Sequence, residues 1–176
     1  MKSPILLALF VMISFAWHTV AQSEDSWYFH PQVGVGFNSQ QGTSYVFGLD
    51  LGMAANQNWR MGLTGHYAAG DRASRDREYG GGAFVSYAER LGEVFIGHIR
   101  QELLYLDVRN PIDPEPAAGP NYESELGLAS ATSLGVTVRV GDNIALSGGY
   151  RFVAGITNSD LADGRSGPTF GLMVGL

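Results

Sequence analysis

Residues 45–53 read Tyr45-Val46-Phe47-Gly48-Leu49-Asp50-Leu51-Gly52-Met53. Every odd position carries a large apolar side chain, while positions 48, 50 and 52 carry glycine or a carboxylate. Successive side chains of an extended strand point to opposite faces. The stretch therefore predicts a strand with one oily face and one small or charged face.

The same alternation recurs on both sides, giving eight runs near 27–37, 44–53, 58–69, 80–89, 93–106, 122–140, 143–155 and 168–176. Their apolar faces hold residues such as Phe29 and Val33, Trp59 and Leu63, Phe95 and Ile99, Leu134 and Val136, and Phe170 and Leu172. Their other faces hold His30, Arg60, His66, Ser86, His98, Arg100, Glu102, Thr137, Ser147 and Arg151. The apolar face is nearly free of charge over the eight runs, its main polar intrusions being Gln101, Ser130 and Thr132. A soluble sheet buries its apolar face and wets its charges. A membrane barrel inverts this, with oil outward and polarity inward. Aromatic residues near the run ends favour inversion: Tyr45, Tyr67 and Tyr105 toward one edge, Phe29, Trp59, Tyr87 and Phe95 toward the other. Such girdles mark lipid–water interfaces, and only a closed barrel satisfies every strand hydrogen bond in lipid.

The connections alternate. Residues 38–43, 70–79, 107–121 and 156–167 are long and polar; 54–57, 90–92 and 141–142 are short. Short periplasmic turns and long external loops are the outer-membrane pattern, so both termini are expected in the periplasm. The predicted fold is all-β: an eight-stranded, antiparallel, up-and-down transmembrane barrel over residues 22–176.

Composition agrees. The chain has 176 residues, 24 of them glycine, with 45% hydrophobic, 11% aromatic and only 16% charged, an unusual balance for a soluble domain. The net charge of −6 offers no general basic surface for nucleic acid. With no cysteine there is no disulfide, thiolate metal site or cysteine nucleophile. Lys2, the apolar run Ile5 to Trp17 and the small residues ending at Ala21 predict a signal peptide over 1–21. The mature chain would keep 10 of the 11 basic residues and all 17 acids, for a net −7.

The eight runs, the signal peptide and the last strand, Thr169-Phe170-Gly171-Leu172-Met173-Val174-Gly175-Leu176, resemble the small outer-membrane barrel family that includes OmpX and the transmembrane domain of OmpA. The resemblance implies recognition of the last strand by the barrel-assembly machinery. Leu176 stands where that family usually has Phe or Trp.

Function is less legible. An eight-stranded barrel is just wide enough to be filled by side chains, so Asp50, Arg60, His66, His98, Arg100, Glu102 and Arg151 are expected to form a lumen network that closes it. Leaving any of these charges unpaired would be costly. The alternative is a lipid A acyl hydrolase or transferase of the outer leaflet, for which His66, Ser86 and Glu102 are the candidate base, nucleophile and orienting acid. The deacylase His-x-Ser pattern is absent from the penultimate strand, Gly149 to Gly155. A third alternative is a small pore, disfavoured by the charged lumen. No cofactor or metal is expected: His30, His66 and His98 lie at different heights and read as lone polar-face histidines.

Residues 71–78 interleave Arg72, Arg75 and Arg77 with three acids. Guanidinium matches lipopolysaccharide phosphate, though the loop can also neutralise itself. Residues 107–121 hold four prolines between the two longest strands, a stiff protrusion that is either a surface for a protein partner or a blunted edge. A closed small barrel is expected to be a monomer, since it leaves no edge to pair.

Overall fold

The computed structural model describes residues 27–38, 42–70, 77–111, 122–157 and 166–175. The predicted signal peptide, Arg72, Arg75 and Leu176 lie outside these residues. Eight strands follow one another: β1 Trp27–Asn38, β2 Gly42–Ala54, β3 Trp59–Gly70, β4 Arg77–Arg90, β5 Phe95–Pro111, β6 Tyr122–Arg139, β7 Ile144–Gly155 and β8 Gly167–Gly175. Each pairs antiparallel with its neighbour, and β1 pairs with β8, closing the sheet into a barrel. Where all eight strands pair, closure leaves no open row of amides, the condition for crossing a bilayer on strands.

The alternation of the sequence becomes the wall. Phe47, Leu63, Phe95, Ile99, Leu134, Leu146 and Phe170 are exposed on the outside, while the opposite parity of the same strands buries His30, Asp50, Thr64, Ser86, Arg100, Glu102 and Thr137. Aromatics bracket the outer band on β3 and β4. Trp59 meets Tyr87 edge-on at 5.2 Å near the short-turn end, and Tyr67 meets Tyr79 at 5.1 Å near the other. At about 3.3 Å per residue and a tilt of about 40°, the eight steps from Trp59 to Tyr67 rise roughly 20 Å, close to the thickness of an apolar band.

Three short turns, 55–58, 91–94 and 140–143, join strands at one end. Each closes the same way: Ala55 N to Trp59 O at 2.8 Å, Leu91 N to Phe95 O at 2.9 Å, Val140 N to Ile144 O at 3.0 Å. Asn56 Oδ1 accepts from the amides of Asn58 and Trp59, tightening the first turn. Gly92 takes φ 146° in the second, a conformation L side chains rarely adopt.

Two boundaries differ from the sequence expectation. β4 begins at Arg77 and β5 runs to Pro111, so Arg77 and residues 107–111 belong to strands rather than to loops. Charged outward residues at these levels hide the continuation, because the oily face ends before the hydrogen-bond ladder does. Pro31 also acquires a reason. The β1–β8 ladder pairs Tyr28 with Gly175 and Phe29 with Val174, then resumes at Gln32 with Gly171. The break falls at His30 and Pro31, where proline has no N–H to give.

Candidate functional site: the barrel lumen

Inward positions on three strands bring four charges into one chain across the lumen. Arg100, on β5, bonds both oxygens of Asp50 on β2; its Nη2 lies 2.9 Å from Oδ1, and Nη1 reaches Oδ2. The same guanidinium places Nε 2.9 Å from Glu102 Oε1, an ion-pair distance without hydrogen-bond alignment. Arg151, on β7, donates to Glu102 Oε2 at 2.8 Å. Asp50 is fully buried and Glu102 nearly so. Two carboxylates and two guanidiniums therefore balance one another where water is scarce, the condition under which buried charge is tolerated. Arg100 also lies over the Phe84 ring, 3.9 Å from its centroid, stacking that fixes its plane.

A histidine extends the chain. His30 Nδ1 stands 3.2 Å from Asp50 Oδ2, and its Nε2 stands 2.7 Å from Ser147 Oγ. Gln32 donates to the same Asp50 oxygen at 2.5 Å. Asp50–His30–Ser147 has the connectivity of an acyl-hydrolase triad. The carboxylate is nevertheless saturated by Arg100 and Gln32, and the wall amides around Ser147 are paired in β-ladders. The arrangement holds β1, β2 and β7 together; it does not present an activated serine to a substrate with oxyanion donors in place.

The expected trio separates. His66 Nε2 lies 2.8 Å from Glu78 Oε1 on β4, a residue assigned to a loop by the sequence. Ser86 is the register partner of Arg60 and Arg100, six residues along β4 from Gly80, which faces His66. Glu102 is taken by the two arginines. No chain of contacts runs through His66, Ser86 and Glu102. Arg60 and His98 also stand apart from the ion-pair chain: Arg60 Nη1 reaches Met173 Sδ at 3.4 Å, with its guanidinium 5.7 Å from the Tyr28 ring centroid, and His98 has Thr137 at 3.4 Å. Nor are His30 and His66 lone histidines, since each faces a carboxylate.

Sequence reasoning missed an apolar cluster on the inner face. Leu104, Leu106 and Val108 on β5 pack with Ala129 and Ala131 on β6 and Val153 on β7 toward the loop end. Leu103-Leu104-Tyr105-Leu106 is apolar at both parities, so its alternation gives no direction. Paired glycines were the available signal for the histidines: a Cβ on Gly80 would collide with the His66 ring, and one on Gly171 with His30.

Outside the loop-end girdle, Arg77 and Arg109 are register partners on the outer face. Arg109 lies 5.1 Å from the Tyr79 ring centroid and 3.0 Å from Asp107. Ser124 donates to Asp107 at 2.6 Å, and this bond together with Arg109 holds the Asp107 carboxyl below the usual carboxylate range.

No protein-family model matches the chain, and no curated protein matches it. Solved structures do. Neisserial surface protein A aligns at a TM-score of 0.66 and 15% identity, over 86% of this chain and 97% of its own. The N-terminal β-barrel domain of Pseudomonas aeruginosa OprF aligns at 0.65 and 11%, over 88% and 100%. The attachment invasion locus protein Ail of Yersinia pestis aligns at 0.53 and 13%, over 88% and 98%. At such identities the likeness establishes the fold, the eight-stranded barrel of small outer-membrane proteins, and not an activity.

Proposed function

We propose, from a fold shared with outer-membrane barrels, that this chain is an integral outer-membrane protein with a closed lumen. In this reading it serves the envelope structurally and meets other surface components through its loop end. The observation that carries closure is the Asp50–Arg100–Glu102–Arg151 chain, which joins strands from opposite parts of the wall, with the Leu104 cluster toward the loop end. Planar-bilayer recording of the refolded protein tests it. The expected result is no stable single-channel step; regular steps that grow when Glu102→Gln and Arg151→Met are combined would reassign the protein as a small pore.

The termini take the periplasmic side and the loop end faces outward, following the short turns and long connections. The last strand would engage the barrel-assembly machinery, and the closed monomer needs no partner to complete it. Defective assembly on scrambling Thr169 to Val174 in cells, with refolding in detergent intact, checks the first point; a higher oligomer by light scattering would overturn the second.

For lipopolysaccharide, the outer face supplies a sharper candidate than the loop alone. Arg77 and Arg109 sit side by side just beyond Tyr67, Tyr79 and Tyr105, the level of lipid phosphates in an outer leaflet, and guanidinium forks suit phosphate. Arg77→Gln with Arg109→Gln is expected to lower co-purified lipopolysaccharide several-fold; unchanged lipid with both removed would leave only Arg72 and Arg75 to consider. An outer-leaflet acyl hydrolase is the weaker reading. The only described serine joined to a histidine, Ser147, lies in the lumen toward the short turns, four residues into β7, on the far side of the barrel from the external leaflet.

A further inference from the structure

The short-turn mouth of the barrel differs from the lumen above it. A cavity of about 570 Å³ opens there, lined by Asn56, Gln57, Asn58, Arg60, Arg90 and Arg139. A second lobe of about 270 Å³ shares Ala54, Arg60, Ile96 and Arg139 with it, so the two form one vestibule. Arg60 is the second residue of β3, Arg90 the last of β4 and Arg139 the last of β6. All three have the inward parity of their strands, set by register: Arg60 with Ser86, Arg90 with Ile96, and Arg139 with Ala145.

Deeper in, guanidiniums and carboxylates are matched one to one. At the mouth they are not. Among the described residues, the inward positions at this level (Tyr28, Ala54, Ala88, Ile96, Thr137, Ala145 and Met173 beside the arginines) hold no carboxylate. Of the acids that line the vestibule, Glu89 has outward parity and takes bonds from Tyr87 and Asn58, and Asp142 is exposed in the last turn. No ion pair to a described carboxylate engages Arg60, Arg90 or Arg139. Three guanidiniums thus line one open cup in a protein whose net charge is −6. Such a concave, one-signed lining attracts small anions and holds them by charge-assisted hydrogen bonds.

We propose that this vestibule is a binding site for a soluble, multiply charged phosphate anion of the diphosphate class. The planar forks of Arg60 and Arg139 would take oxygens of separate phosphoryl groups, and Gln57 lies at the rim. Lipid headgroups carry the same chemistry, but they lie around the barrel, whereas these side chains belong to its interior parity. The soluble source is therefore the one the geometry favours.

The test is titration of the folded, detergent-solubilised protein with inorganic pyrophosphate by calorimetry. Saturable one-to-one binding that weakens as salt rises is expected, with at least a tenfold loss in Arg60→Gln/Arg139→Gln and a smaller loss in the corresponding lysine pair, whose charge remains but whose fork is gone. The heat-modifiable gel shift of each variant reports folding. Should the pair not fold, Arg139→Gln alone, at the exposed rim, is expected to weaken binding measurably. Absence of saturable binding, or binding that ignores these substitutions, overturns the proposal. So does an effect seen only in phosphatidylglycerol nanodiscs, which would assign the arginines to lipid. Binding that emerges only after Glu24→Gln and Asp25→Asn would likewise overturn it, making carboxylates of the chain itself the occupants of the cup.

Discussion

Arg100→Met is expected to lower the unfolding free energy by about 3–5 kcal/mol, the cost of leaving a buried charge without its partner. Among the described residues, Arg100 alone touches both carboxylates of the ion-pair network, Asp50 and Glu102. Methionine keeps an aliphatic contact with Phe84 but supplies no donor. Asp50 would fall back on His30 and Gln32, and Glu102 on Arg151. Urea unfolding in lipid vesicles, followed by tryptophan fluorescence and gel mobility, measures the loss. Replacing the set together (Asp50→Asn, Arg100→Met, Glu102→Gln, Arg151→Met) is expected to recover most of it, because a buried ion pair contributes little net stability over a well-packed neutral substitute. Wild-type stability in the single variant would show that the network does not close the lumen.

The second large effect concerns the outer wall. Leu63 pairs with Ala83 midway between the Trp59–Tyr87 and Tyr67–Tyr79 contacts and is 65% exposed. In a bilayer this is the midplane, where an arginine costs about 2–4 kcal/mol, against about 0–1 near the interface. Leu63→Arg is therefore expected to destabilise the barrel in vesicles far more than Leu126→Arg, which sits level with Asp107 and Tyr79 at the loop-end girdle. A soluble barrel predicts the opposite: an exposed arginine at either site would be harmless. Equal costs at the two depths would contradict a membrane wall, whatever the fold.

Much of this wall was readable in the chain itself. Tyr45 to Met53 declares its two faces residue by residue, because side-chain direction in a strand depends only on parity. The near-absence of charge on one face, with aromatics at its ends, then says which solvent that face meets. The eight alternating runs supply the strand count, and the short connections mark the turns that share one end. Reading failed where local pattern carries no direction. Leu103 to Leu106 is apolar on both faces, so the inward leucines of the lumen were invisible. At Arg77 to Tyr79 the outward charge imitates a loop, although the ladder continues.

What the tertiary structure alone decided is which inward groups meet. Asp50 finds Arg100, Glu102 finds Arg151, and His30 finds Ser147 across separations of 50, 49 and 117 residues. His66 turns to Glu78 instead of Glu102, and Arg60 stays in the mouth. Parity placed all of these side chains in the lumen. Their heights relative to one another depend on the stagger accumulated around the closed sheet, and a shift of two residues in one strand pair preserves every face while changing every partner. Periodicity is a local property of the backbone, so the sequence by itself determines inside and outside; ion pairing across the lumen is a property of closure, and only the assembled barrel decides it.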